Sequence, residues 1–132
     1  MRGGEEYVSP PAGWKKVALN LDKYSDTDWL HKVNGWPVTY HGTVADKDVI
    51  RAIIQNGFKV TDVPRNGRQY GDGVYFSPKL EYVVERYCKG NIADHTIVFL
   101  CRVRGSSIHK HNPKVWRCTS ETDIRPVALL FK

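Results

Sequence analysis

Thr96-Ile97-Val98-Phe99-Leu100-Cys101-Arg102-Val103 is an almost unbroken apolar run. Its content of β-branched and aromatic residues favours a strand. Successive side chains of a strand point to opposite faces, so a run that is apolar at nearly every position must be covered on both. A chain with such a strand needs a layered core built around it. The other strand signals can be arranged about that centre. Gly13–Leu21 alternates in part and reads as a first strand, and Pro37-Val38-Thr39-Tyr40-His41 as a strand that starts at proline. Val74-Tyr75-Phe76 is a short apolar strand entered through Gly71 and Gly73, and Val115–Cys118 and Val127–Phe131 are the last two.

Helical signals fall between these strands. Asp26-Thr27-Asp28-Trp29-Leu30 reads as a capped turn, with Asp26 accepting from the free N–H groups ahead of it. Asp46 or Asp48 caps a helix whose apolar face is Val49, Ile50, Ile53 and Ile54, and Gly57 stops it. Ser77 as cap and Pro78 at the first helical position open a second helix, with Leu80, Val83, Val84 and Tyr87 on one face. Residues 59–72 form a polar connector, and residues 1–12 a flexible lead-in to a single domain over 13–132. Strands outnumber helices without a regular βαβ alternation, so the expected class is α+β.

Composition limits the function classes. With 132 residues, 41% of them hydrophobic and 26% charged, the chain can bury one core and is not a disordered composition. No apolar run approaches a membrane span, and no signal-peptide core opens the sequence. The expectation is a soluble intracellular protein, cytoplasmic or nuclear, with no membrane partner. Cys88, Cys101 and Cys118 are too scattered for a disulfide framework or a zinc site, and reduced, mostly buried thiols are expected. His109 and His111 flank Lys110 in what reads as a loop, and without further ligands no metal is expected. The net charge of +6 suits either steering of an anionic ligand or a nucleic-acid surface. Arg2-Gly3-Gly4 resembles the tail of ubiquitin, which raises a ubiquitin-like fusion or partner against the plainer reading of a flexible boundary.

Two motifs carry the chemistry. His41-Gly42-Thr43 and Gly71-Asp72-Gly73-Val74-Tyr75-Phe76 place a histidine and a tyrosine at two strand ends, each beside glycine that admits a ligand to the backbone. Each is followed by a helical stretch. In that order they suggest a clamp for a nicotinamide dinucleotide.

These pieces resemble the catalytic core of the ADP-ribosyltransferases related to diphtheria toxin and the poly(ADP-ribose) polymerases. Tyr40-His41-Gly42-Thr43, Ile50 through Gly57-Phe58, Gly71 through Ser77, Arg86-Tyr87-Cys88 and Asp123 through Leu130 occur in the family's order. The resemblance runs from about Trp36 to Lys132. It implies split antiparallel sheets with flanking helices, and NAD as the substrate in the cleft between them. It also implies cleavage of the nicotinamide–ribose bond through an oxocarbenium-like state and transfer of ADP-ribose to an acceptor.

By resemblance, His41 would bond the adenosine-side ribose, Gly42 would offer its backbone N–H and C=O to the nicotinamide carboxamide, and Thr43 would belong to the NAD-binding residues. Tyr75 would line the nicotinamide ribose. Tyr87 would stack on the nicotinamide ring, with Tyr82 as a second candidate, and Arg65 and Arg68 would face the pyrophosphate. The family's third signature residue is a glutamate in polymer-forming members, and the matching position is Val115, which cannot accept that hydrogen bond. Glu121 or Asp123 would substitute if the register slips. The implied activity is therefore mono-ADP-ribosyl transfer to a protein or nucleic-acid acceptor. The rivals are a module that binds NAD or ADP-ribose without turnover, and an RNA-binding or RNA-processing domain.

Overall fold

The computed structural model describes residues 3, 9–59 and 70–132. Arg65, Arg68 and the rest of 60–69 lie outside the described residues, as does most of the lead-in. In chain order the described elements are β1 (Lys15–Ala18), β2 (Val38–Gly42), α1 (Lys47–Asn56), β3 (Val74–Phe76), α2 (Leu80–Arg86), β4 (Ile97–Val103), β5 (His109–Lys110), β6 (Trp116–Cys118) and β7 (Ile124–Phe131). The strands form two antiparallel sheets, ordered β1-β7-β4-β2 and β3-β6-β5. This is the expected α+β class with split sheets.

β4 is covered on both faces, but in an antiparallel sheet. Phe99, Cys101 and Val103 share one core with Ile50 and Ile53 of α1, Phe58, and Val74, Phe76, Trp116 and Cys118 of the second sheet. Val98 and Leu100 share the other with Val38, Tyr40, Ala128, Leu130 and the Leu80 and Val83 of α2. Alternate side chains thus enter separate cores, one under each helix.

The two ends of α1 follow local chemistry. Asp46 caps α1, its side chain accepting from the N–H groups of Asp48 and Val49. Gly57 ends α1 at φ +79°, a backbone region that favours glycine. Ser77 and Pro78 do not open α2, which begins at Leu80. Ser77 is instead fully buried and exchanges backbone bonds of 2.8 and 3.0 Å with Tyr40, tying β2 to the chain leaving β3. Its hydroxyl accepts from Lys79 N–H at 3.0 Å, a local turn that competes with helix. His109 and Lys110 are not loop either, but pair with Arg117 and Trp116 as β5.

β7 starts at Ile124 and runs through Pro126, earlier than the sequence implies. Proline fits there because β7 itself bulges at Val127, next to it, where Leu100 and Cys101 of β4 pair with Ala128 and Pro126, and because β1 pairs β7 only from Ala128 onward.

Arg102 is the charged residue inside the apolar run. It is buried and donates to the carbonyls of Leu30 and Trp36 at 2.9 and 2.6 Å, with longer contacts to those of His31 and Trp29. This anchors the irregular segment between β1 and β2 to the sheet. Trp29 and Trp36 of that segment, with Tyr24, also face the Arg125 guanidinium at 4.8, 4.6 and 4.3 Å.

Candidate active site

The bridge between Tyr40 and Ser77 brings the end of β2 against β3. His41 Nδ1 lies 2.7 Å from the backbone carbonyl of Tyr75. A carbonyl only accepts, so Nδ1 carries the proton and a neutral ring keeps Nε2 as an acceptor. The ring is buried, edge-on to Phe58 at 4.6 Å and near Phe99 at 6.5 Å. Burial pulls its pKa from 6.5 down to about 4, although the Tyr75 carbonyl favours the proton. The imidazole is therefore neutral at physiological pH.

That depression has a consequence for stability. The unfolded chain takes up a proton near pH 6.5 that the folded chain refuses until about pH 4. The contribution is whole above 6.5 and is lost as pH falls through that window. The midpoint of thermal unfolding should fall from pH 6.5 to about 4, and His41→Asn should lack that part of the decline.

Tyr75 is held at both ends. Its hydroxyl donates to the Gly71 carbonyl at 2.6 Å and accepts from Tyr70 N–H at 2.8 Å. Its ring packs with Val115, against which Tyr82 and Tyr87 also lie. Tyr82 and Tyr87 meet edge to face at 6.0 Å. Burial, then the neighbouring Tyr82, pushes the Tyr87 hydroxyl pKa up, so it stays protonated. Val115 stands just ahead of β6, its N–H donating to Asn112 Oδ1 at 2.9 Å and its carbonyl accepting from His111 N–H at 3.0 Å.

The glycine at 42 has a packing reason as well as a ligand one. A Cβ there would fall 2.9 Å from Cys88 Sγ and Val83 Cγ1 and 3.0 Å from Tyr87 Cβ. Only glycine lets α2 and Tyr87 close on the end of β2. Thr43 follows, half-buried, its carbonyl 3.4 Å from Lys89 N–H.

His41, Gly42, Tyr75, Tyr82, Tyr87 and Val115 are thus linked through shared contacts. Glu121 and Asp123 are engaged elsewhere, beyond the far end of β6. Glu121 pairs with Lys59 at 3.7 Å, and Asp123 accepts from Arg104 and Ser107 at 3.0 and 2.6 Å. The residues the sequence did not single out are Phe58, the wall of the His41 ring, and Asn112, whose side chain fixes Val115. Among the described residues no cluster of histidine, cysteine and acidic groups could hold a metal ion, and no helix is long and apolar enough to cross a membrane.

Residues 18–115 match the family model of the poly(ADP-ribose) polymerase catalytic domain. The chain belongs to this family. The family is one of ADP-ribosyltransferases, enzymes whose substrate is NAD. The match starts upstream of Trp36, where the sequence resemblance begins, and so takes in the segment that Arg102 anchors. The protein mono-ADP-ribosyltransferase PARP10 of Mus musculus is 36% identical over 99 residues, 74% of this chain. That stretch is 10% of the mouse protein, so this poly(ADP-ribose) polymerase-family chain spans about a tenth of that relative.

Proposed function

We propose that the domain cleaves NAD at the nicotinamide–ribose bond and transfers single ADP-ribose units to an acceptor. The observation that carries this reading is Val115, packed on Tyr75, at the position that the resemblance matches to the glutamate of polymer-forming members. Extension of a chain requires activation of a ribose hydroxyl, and a valine can neither bind it nor take its proton. Glu121 and Asp123 are held in other pairs. The mouse relative is itself named a mono-ADP-ribosyltransferase.

Cleavage asks little proton transfer of the protein, because nicotinamide leaves neutral. Grip and orientation do the rest. In this reading His41 Nε2 accepts from the adenosine-side ribose hydroxyl, which the neutral Nδ1-protonated ring suits. Gly42 and Thr43 meet the nicotinamide carboxamide edge, Tyr87 with Tyr82 stacks on its ring, and Tyr75 lines the ribose. Arg65 and Arg68, which lie outside the described residues, would serve the pyrophosphate by the family resemblance alone. The acceptor is a protein or a nucleic acid. The free thiols of Cys88, Cys101 and Cys118 suit a reducing compartment, cytoplasm or nucleus.

Incubation with NAD labelled in the adenosine half tests this. Label on an acceptor in single increments, with nicotinamide released, is the expected result. A ladder of longer chains would overturn the mono assignment, and saturable binding without release would leave an NAD-binding module. Val115→Glu sharpens the test. It should raise NAD hydrolysis or permit short chains, at a stability cost of about 1–3 kcal/mol for burying a carboxyl. Unchanged products and unchanged hydrolysis would show that residue 115 is not the third signature position.

A further inference from the structure

Tyr75 owes its place to two backbone groups, the N–H of Tyr70 and the carbonyl of Gly71. Those groups are held in turn by β6 and the turn before it. The His111 ring stacks on the Tyr70 ring, centroids 4.0 Å apart and planes within 4°. Arg117 lies opposite Tyr75 in the β3–β6 register and donates from Nη1 to the Asp72 carbonyl at 2.7 Å. Its stem lies flat on Gly73, where a Cβ would come within 2.6 Å of Arg117 Cγ, and Gly73 has φ +151°. Arg117 Nε also donates to His111 Nε2 at 3.1 Å. One side of the clamp therefore grips the Tyr70 ring and the other the backbone at Asp72.

We propose that His111 and Arg117 act together as positioning residues for Tyr75, by clamping the Tyr70–Gly73 segment that anchors its hydroxyl. The clamp is built for a neutral imidazole. Nε2 must offer a lone pair to Arg117, and a protonated ring would lose it and set two cations against each other. The charged and titratable groups on the elements packed here are His109 and Lys110 of β5, Lys114 in the turn, Arg117 of β6, and Tyr70 and Asp72 opposite. Burial, then Arg117 and His109, lower the His111 pKa below its ordinary 6.5. The clamp is thus closed at neutral pH and opens as pH falls through a value below 6.5.

The test has one arm independent of turnover, since the role of Tyr75 rests on the proposed function. In the first arm the Tyr70 amide resonance is followed by NMR from pH 8 down to about 5. It should titrate in the wild-type protein and stay flat in His111→Phe, which keeps a ring on Tyr70 but carries no proton. A flat wild-type resonance, or the same titration in His111→Phe, would overturn the clamp. If His111→Phe does not fold, His111→Gln, with an amide oxygen as acceptor, replaces it with the same expectation.

In the second arm kcat/KM for NAD is measured over the same range. The wild type should lose activity on the acid side, and His111→Phe should lack that limb. Arg117→Met, which keeps the stem on Gly73 but no donors, should raise KM about tenfold at neutral pH with kcat little changed, and the gap to the wild type should narrow on the acid side. An Arg117→Met enzyme with wild-type KM would overturn the positioning role. A wild type that releases no nicotinamide would contradict the proposed function while the NMR arm still decides the clamp.

Discussion

His41→Asn should release nicotinamide from NAD about a hundredfold more slowly than the wild type, while folding is retained. The substitution separates the two ring nitrogens. An asparagine amide can place its N–H where His41 Nδ1 donates to the Tyr75 carbonyl at 2.7 Å, so the link between β2 and β3 survives. It has no atom at the Nε2 position, so the acceptor offered to the ribose is gone. His41→Ala would be a poorer probe. The ring is buried against Phe58, and its removal leaves a cavity and an unpartnered carbonyl, costing about 2–4 kcal/mol. Steady-state nicotinamide release alongside thermal unfolding separates the effects. An Asn variant within a few-fold of wild-type turnover would remove Nε2 from the mechanism.

Arg102→Ala should lower stability by about 3–5 kcal/mol, the largest loss expected from a residue remote from the site. The guanidinium donates to the Leu30 and Trp36 carbonyls, and its removal leaves both inside the fold without that donor. It also frees the segment whose Trp29 and Trp36 stack on Arg125. Urea unfolding measures the cost. Arg102→Lys should recover only part of it, because a single ammonium cannot reach carbonyls on two sides as a planar fork does. A loss under about 1 kcal/mol would mean the segment is held by its aromatic contacts instead.

Arg102 also marks where sequence reasoning stops. The apolar run of β4 is visible without coordinates, and so is the need to cover both its faces. A lone arginine near the end of such a run looks like an edge, because its partners are carbonyls far away in sequence. Asp46 and Gly57 are readable as helix ends because their chemistry is local. Ser77 is misleading for the same reason. Ser-Pro reads as a helix start, while the backbone bonds with Tyr40 that decide its role are long-range. Pro126 argues against strand until the bulge beside it in β7 is seen.

At the site, His41 stands out because glycine follows it at a strand end, and Tyr75 because a glycine-flanked turn leads into its short strand. Their mutual bond runs through a backbone carbonyl, which no residue pattern encodes. The packing of Tyr75 on Val115 and the stack of His111 on Tyr70 likewise arise only when β3 and β6 pair.

The most direct measurement is the pair of ring-nitrogen resonances of His41, observed by NMR with and without NAD. The account predicts a neutral ring protonated at Nδ1, with the Nε2 resonance displaced by saturating NAD and the Nδ1 resonance nearly unmoved. A ring protonated at Nε2, or an Nε2 resonance indifferent to bound NAD, would contradict it.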